Sequence, residues 1–168
     1  MDWKKKIVAP DKVMEKIRPG MRIFLGTGVS EPCTLVRQLM NSSQKGLVDL
    51  ELIQLVHFSN TITLKTLDAH KYRLKTFSSG HMVNKAIEKG LVDLIPVRFN
   101  RLQRLFDSGR VQVDAAFVQI SQPDSSGNAS LGVSIDMARS AMKQACLVAG
   151  EINPQIPRTF GEDRKSVV

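Results

Sequence analysis

Residues 23–34 read IFLGTGVSEPCT, and this stretch decides how the rest of the chain is read. Three apolar residues, Ile23 to Leu25, run into Gly26 and Gly28. Pro32 then opens a segment whose apolar residues, Leu35, Val36, Leu39 and Met40, recur at helical spacing. Strand, tight loop and helix follow at once. Glycines let such a loop turn with positive φ and come close to a ligand, and the helix start leaves N–H groups without intrahelical acceptors. Two readings stay open here: the ordinary first turn of an α/β domain, or a binding loop.

Working outward, the same alternation repeats. Upstream, Pro10 and Asp11 precede a short helix over Lys12 to Ile17, with Met21 to Leu25 as the opening strand. Downstream, the latter part of Leu47–Phe58 is a buried strand, residues 59–70 are irregular, and Tyr72 to Phe77 is a strand. Ser78, Ser79 and Gly80 lead into a helix carrying Met82, Val83, Ala86 and Ile87. Leu91 to Val97, with Pro96 near its end, suits an edge strand. A helix over Leu102 to Phe106 then leads to Val111–Ile120, VQVDAAFVQI, the best central-strand candidate. After it come the turn-rich Ser121–Gly132, a helix from Ile135 to Gln144 and a last strand from Ala145 to Ile152. Strands alternating with helices imply a three-layer α/β domain, a mostly parallel sheet covered on both faces. Its ligand crevice is built by loops after the strand C-termini.

The 168 residues suffice for one domain with a real core, with 42% apolar and 24% charged residues. No apolar run is long enough to cross a bilayer, and the positive N-terminus is not followed by an apolar signal segment. The expected location is the cytoplasm. The net charge of +8 raises nucleic acid as a partner, but the basic residues are dispersed and one Trp and one Tyr give no aromatic stacking platform. Solvated surface charge accounts for it better, with a phosphate-bearing small molecule as the next reading. Cys33 and Cys146, far apart in apolar surroundings, read as buried reduced thiols. Cys33 lies near a helix start but has no histidine beside it in sequence to act as its base. His57, His70 and His81 show no metal-ligand spacing with the cysteines, so neither a metal nor a bound cofactor is expected.

At residues 121–136, SQPDSSGNASLGVSID, the chain resembles the S-x-P-D-x-x-G-x-x-S-L-G-x-S-x-D segment of the acetyl-CoA hydrolase/transferase family, which includes 4-hydroxybutyrate CoA-transferase. The Leu25–Pro32 loop is similar to that family's glycine loop. Gly80 with Lys85, Ala86 and Gly90, Arg104 to Phe106, and Asn153 with Pro157 to Thr159 agree in order. The likeness covers residues 2 to about 161. It implies the N-terminal α/β domain, residues 1–152, of an enzyme that moves coenzyme A between carboxylates through a thioester on a glutamate, a carboxylate nucleophile. The resemblance puts that glutamate in a C-terminal domain, so no catalytic residue is assigned to this chain. The substrate is an acyl-CoA thioester with a small carboxylate, and the full-length enzyme is expected to be a homo-oligomer.

Pocket walls would come from Gly26, Thr27, Gly28, Ser30 and Glu31, from Gly80 and His81, and from Ser121, Pro123 and Asp124. Read from residues alone, Glu31 could be a nucleophile or a charge at the helix start, and the second reading is preferred. Asp124 could orient a substrate or simply belong to a P-D-x-x-G turn. Residues 153–162 read as an exit segment towards another domain. Asp163–Val168, DRKSVV, resembles nothing in the family and matches the in-frame translation of a sequencing adapter, so it is expected to be a non-native tail. A metabolite-binding regulatory module of the same fold is the alternative function, with a nucleic-acid-binding protein behind it.

Overall fold

Six parallel strands form the sheet of this computed structural model, in the order β4-β3-β2-β1-β5-β7. The structure describes residues 3–55, 61–79, 81–160 and 165–166. The strands are β1 (Arg22–Leu25), β2 (Leu50–Gln54), β3 (Tyr72–Thr76), β4 (Val92–Leu94), β5 (Ala115–Ile120) and β7 (Leu147–Ile152). β6 (Asn128–Ala129) pairs antiparallel with β8 (Lys165–Ser166) in a separate two-stranded ribbon. The helices are α1 (Pro10–Met14), α2 (Cys33–Asn41), α3 (His81–Glu88), α4 (Leu102–Asp107) and α5 (Ala138–Gln144). The expected three-layer architecture is therefore present. Helix bounds differ from those that periodicity placed: α1 covers Pro10–Met14 and ends before Ile17, and α5 begins at Ala138, after turns over residues 132–133 and 136–137.

Both faces of the sheet are covered because neighbouring strand residues point to opposite sides. Ile23, Leu25, Leu52, Leu74 and Phe117 pack with α1, α2 and α3 on one face. Phe24, Ile53, Ala116 and Val118 pack with α4 and α5 on the other. All six residues of β5 are buried, as a strand between two parallel neighbours and two helical layers must be. Val92–Leu94 is an edge strand, and Pro96 follows it where no ladder N–H is needed.

Neither cysteine is fully buried, contrary to the expectation from their apolar neighbours. Cys33 is half-exposed and Cys146 exposed, its Sγ donating to the Asp114 carbonyl at 3.1 Å. Cys146 precedes β7 and so misses the sheet interior. Both are free thiols.

At the other end of the central strands, Arg22 clasps Asp114 with Nε and Nη2 at 2.8 and 2.9 Å, and its N–H adds a third bond at 2.8 Å. The Arg22 side-chain hydrogen bonds outweigh desolvation and hold the Asp114 carboxyl below its ordinary value. A carboxyl whose folded value lies below its unfolded one stabilises the fold above the unfolded value, about 3.9, and loses that contribution as pH falls through the folded value. The difference in urea midpoint between the wild type and Asp114→Asn should therefore be largest at neutral pH and shrink in strong acid. A difference that does not change with pH would refute the assignment.

Candidate functional site

Strands β1 to β4 run outward in one direction while β5 and β7 lie on the other side of β1. The order thus reverses between β1 and β5, and in open parallel sheets the crevice outside the strand C-termini at such a reversal is where ligands bind. The glycine loop leaves β1 at that place, and the Ser121–Gly132 loop leaves β5 beside it. A loop at this position borders a cleft whatever its composition.

Gly26 extends the ladder, its N–H donating to the Phe117 carbonyl at 2.8 Å. A Cβ there would stand 2.6 Å from the Ser30 carbonyl oxygen, so the turn closes only around a glycine. Gly28 has φ of 58° and starts a 3-10 turn, Gly28–Ser30, in which Ser30 and Glu31 N–H groups donate to Thr27 and Gly28 carbonyls. The cleft above β1 and β5 is lined by Gly26, Thr27, Ser30, Gln119, Ser134 and Asp136, with Phe24 and Leu131 at its floor, and encloses about 210 Å³ including its mouth. Thr27 Oγ1 and Ser134 Oγ both donate to Asp136 Oδ2, at 2.5 and 2.7 Å. Asp136, with φ of 40°, thereby ties the glycine loop to the segment after β6. A second, wider cleft of about 590 Å³ lies on the sheet face between β1–β3 and residues 109–112. Its Lys75 and Glu51 side chains pair with each other at 2.6 Å.

Glu31 is 2% exposed. Its carboxylate accepts from Thr61 Oγ1 and, at 3.2 Å, from Gln54 Nε2. Gln54 Nε2 also lies 3.3 Å from the Gly26 carbonyl, and Gln119 Nε2 donates to the Glu31 carbonyl at 3.3 Å. Two glutamines, one on each strand flanking β1, thus clamp the loop from both sides. The helix-start role expected for Glu31 is corrected: the N–H groups of Thr34 and Leu35 donate instead to Glu151 Oε2, at 2.8 and 3.1 Å. That carboxylate arrives from β7. Glu151→Ala should cost about 1 kcal/mol, the usual value of an N-cap, measured as a urea-midpoint shift. Burial raises the Cys33 thiol above its ordinary value, with the Glu31 and Glu151 charges adding to it, so its place in the first turn does not activate it.

The loop after β5 holds itself together with its own candidate residues. Asp124 Oδ1 accepts from Ser126 and Asn128 N–H groups at 3.0 and 2.8 Å, and Gly127 closes the turn with φ of 81°. Asp124 Oδ2 meets Arg158 Nη2 at 2.5 Å. The Asn128 N–H bond and the Arg158 guanidinium keep this carboxyl below the usual range. Ser121 Oγ accepts from Ser130 N–H at 3.0 Å, and Pro123 is buried. Asp124 thus serves its own turn, and the lining of the cleft includes Gly26, Thr27 and Ser30 of the expected residues but not Ser121, Pro123 or Asp124. Residues 153–160 run back over this loop: Asn153 N–H donates to Ile120 O, Thr159 Oγ1 lies 2.6 Å from Ser130 Oγ, and Ile156 packs on Gly132. Gly80 and His57 lie outside the described residues, and for His81 only its backbone place at the start of α3 is described.

Sequence reasoning missed Gln54, Gln119, Asp136 and Glu151. A glutamine inside AAFVQI was the available signal, because a wholly buried strand has no place for an amide without partners.

A six-stranded parallel sheet covered by helices on both faces, with a glycine loop at its reversal point, defines the class as α/β. This chain belongs to the acetyl-CoA hydrolase/transferase N-terminal domain family, which matches residues 1–166. It is 31% identical over 166 residues to the 4-hydroxybutyrate coenzyme A transferase of Clostridium kluyveri, covering 96% of this chain and 38% of that protein. The succinyl-CoA:acetate/propanoyl-CoA:succinate CoA transferase of Fasciola hepatica is 28% identical, covering 90% and 32%. The chain therefore spans about a third to two fifths of the length of these relatives. Among solved structures, RipA from Yersinia pestis superposes with a TM-score of 0.85 at 21% identity, covering 99% of this chain and 42% of RipA. A 4-hydroxybutyrate CoA-transferase from Porphyromonas gingivalis gives 0.71 at 21%, covering 98% and 38%. Among the described residues no helix is long and apolar enough to cross a membrane.

Proposed function

We propose that this chain is the N-terminal domain of a cytoplasmic acyl-CoA:carboxylate CoA-transferase or acetyl-CoA hydrolase, supplying one wall of the substrate pocket and working with a C-terminal domain that carries the nucleophilic glutamate. The observation that carries the division of labour is the burial of Glu31 beneath its own loop. A carboxylate nucleophile must reach a thioester carbonyl, and Glu31 is held by Thr61 and Gln54 on the inner side of the loop. What the loop offers instead is backbone. Among the described residues the N–H groups of Gly28 and Val29 have no backbone acceptor, and donors fixed in place stabilise the oxyanion formed when a carboxylate attacks a thioester.

Acyl transfer through such a nucleophile splits one exchange into two steps. The glutamate displaces the CoA thiolate to form an anhydride, and CoA returns to give the enzyme thioester and a free carboxylate. Thr27 and Ser30 line the cleft where the acyl group would lie, and Gly28, Ser121, Pro123, Asp124, Gly80 and His81 are proposed to complete the pocket in the full-length enzyme. In the full-length enzyme this domain would sit in a homo-oligomer and serve acetyl-CoA and acetate metabolism. Exposed Val29, Val133, Ile135 and Phe160 give the isolated chain an apolar surface that favours self-association.

The test is an exchange assay with acetyl-CoA and labelled carboxylates, run on the 168-residue chain and on a version extended by the sequence downstream of its gene. Transfer is expected only in the extended protein. Transfer by the 168-residue chain that disappears in Glu31→Gln would sink both the division of labour and the structural role of Glu31. Sequencing the gene past the Glu162 codon checks whether residues 163–168 are native.

A further inference from the structure

Among the described residues, two buried side-chain atoms of the cleft lining have no hydrogen-bond partner: Ser30 Oγ and Gln119 Oε1. Their residues are 3% and 7% exposed, and both line the same cavity under the glycine loop. The other half of the Gln119 amide is fixed, since Nε2 donates to the Glu31 carbonyl, which leaves Oε1 as the unpaired acceptor of a residue that lines the cavity. An uncompensated buried acceptor is costly, and native proteins satisfy such groups with side chains, backbone or a bound molecule. The cavity has room for about one water.

We infer that this niche is a binding site for one uncharged, hydrogen-bond-donating oxygen, held between Ser30 Oγ and Gln119 Oε1. The chemistry of the lining selects the occupant. Gln119 Oε1 only accepts, Ser30 Oγ accepts or donates, and the same lining holds the Asp136 carboxylate, already taking the hydroxyl protons of Thr27 and Ser134. A carboxylate or phosphate oxygen brings no proton to Gln119 and meets a like charge at Asp136. Water or an alcohol hydroxyl brings a proton for Gln119 and a lone pair for Ser30. The small carboxylate proposed as a substrate therefore places its charged end elsewhere, and the group that can enter here is a hydroxyl. The ligand source rests on the proposed function, whereas the water source stands without it.

High-resolution crystal structures of the 168-residue chain, alone and soaked with 4-hydroxybutyrate or with butyrate, test the site. Alone, one oxygen is expected at about 2.7–3.2 Å from both Ser30 Oγ and Gln119 Oε1. Replacement of that peak by the hydroxyl of 4-hydroxybutyrate identifies a ligand source, and its persistence identifies water. Either result keeps the site even for a protein that proves inactive towards acyl-CoA. In Ser30→Ala, and separately in Gln119→Met, the peak should be lost. A butyrate carboxylate oxygen in the niche, a peak that survives both substitutions, or Ser30 and Gln119 satisfied by other side chains with no peak between them would each overturn the inference.

Discussion

Replacing Phe106 by alanine is expected to remove about 3–5 kcal/mol of stability, the usual loss for a fully buried phenylalanine. Phe106 is 1% exposed and is the point at which α4 is fastened to the sheet. Its ring meets Phe24 of β1 edge-on, with centroids 6.0 Å apart and planes at 87°, and Phe77 at 6.1 Å. An edge-to-face pair adds about 0.5–1.5 kcal/mol beyond its buried area, so truncation loses packing and ring geometry together. Domains of this size hold about 5–15 kcal/mol in all, and the variant should sit at or near the midpoint of unfolding under mild denaturant. Urea unfolding followed by circular dichroism measures this. A loss under about 1 kcal/mol would mean that α4 does not close this face of the core.

The second large effect is expected at Gly26. An alanine Cβ would stand 2.6 Å from the Ser30 carbonyl oxygen and 3.3 Å from Pro32 Cδ, and the first of these atoms is backbone that no rotamer change can move. Relief has to come from shifting Ser30 away from β1. That shift strains the Gln54 bond to the Gly26 carbonyl and the Gln119 bond to the Glu31 carbonyl, and displaces the Gly28 and Val29 N–H groups. Overpacking of this kind costs about 1–3 kcal/mol. Because loop donors act only when placed to a fraction of an ångström, activity of the extended protein should fall further, by about 100-fold or more. Gly46→Ala is the control, since a Cβ there meets nothing within 4 Å. Equal exchange rates in Gly26→Ala and the wild type would remove the loop from the reacting centre.

Much of the architecture could be read from local pattern. Leu35, Val36, Leu39 and Met40 announce α2, and the run before Ile120 announces a buried strand, because burial imposes apolar residues at fixed periods. The strand order could not be read that way. That β5 lies beside β1 depends on pairings such as Ile23 with Ala115, and no local propensity encodes a partner so distant. The site divides along the same line. The glycine loop and the P-D-x-x-G turn are local chemistry and were legible. Glu31 was misread because an acid before a helix usually serves that helix, whereas here the helix takes its carboxylate from Glu151, 117 residues away. The sequence carries the need for an acid at the start of α2 but not its source.

The placement of β1 between β2 and β5 also governs how the chain must be made. While the ribosome has delivered only β1 to β4, the side of β1 that will meet β5 presents unpaired N–H and C=O groups, and Phe24 lacks the α4 and α5 layer that will cover it. At about 5–20 residues per second, that edge waits on the order of ten seconds for residues 115–120. A nascent half-sheet of this kind offers a template to any other unpaired strand, so the hazard for this protein lies in synthesis. Its yield in cells should depend on how fast the segment between β1 and β5 is translated and on chaperones that cover the waiting edge.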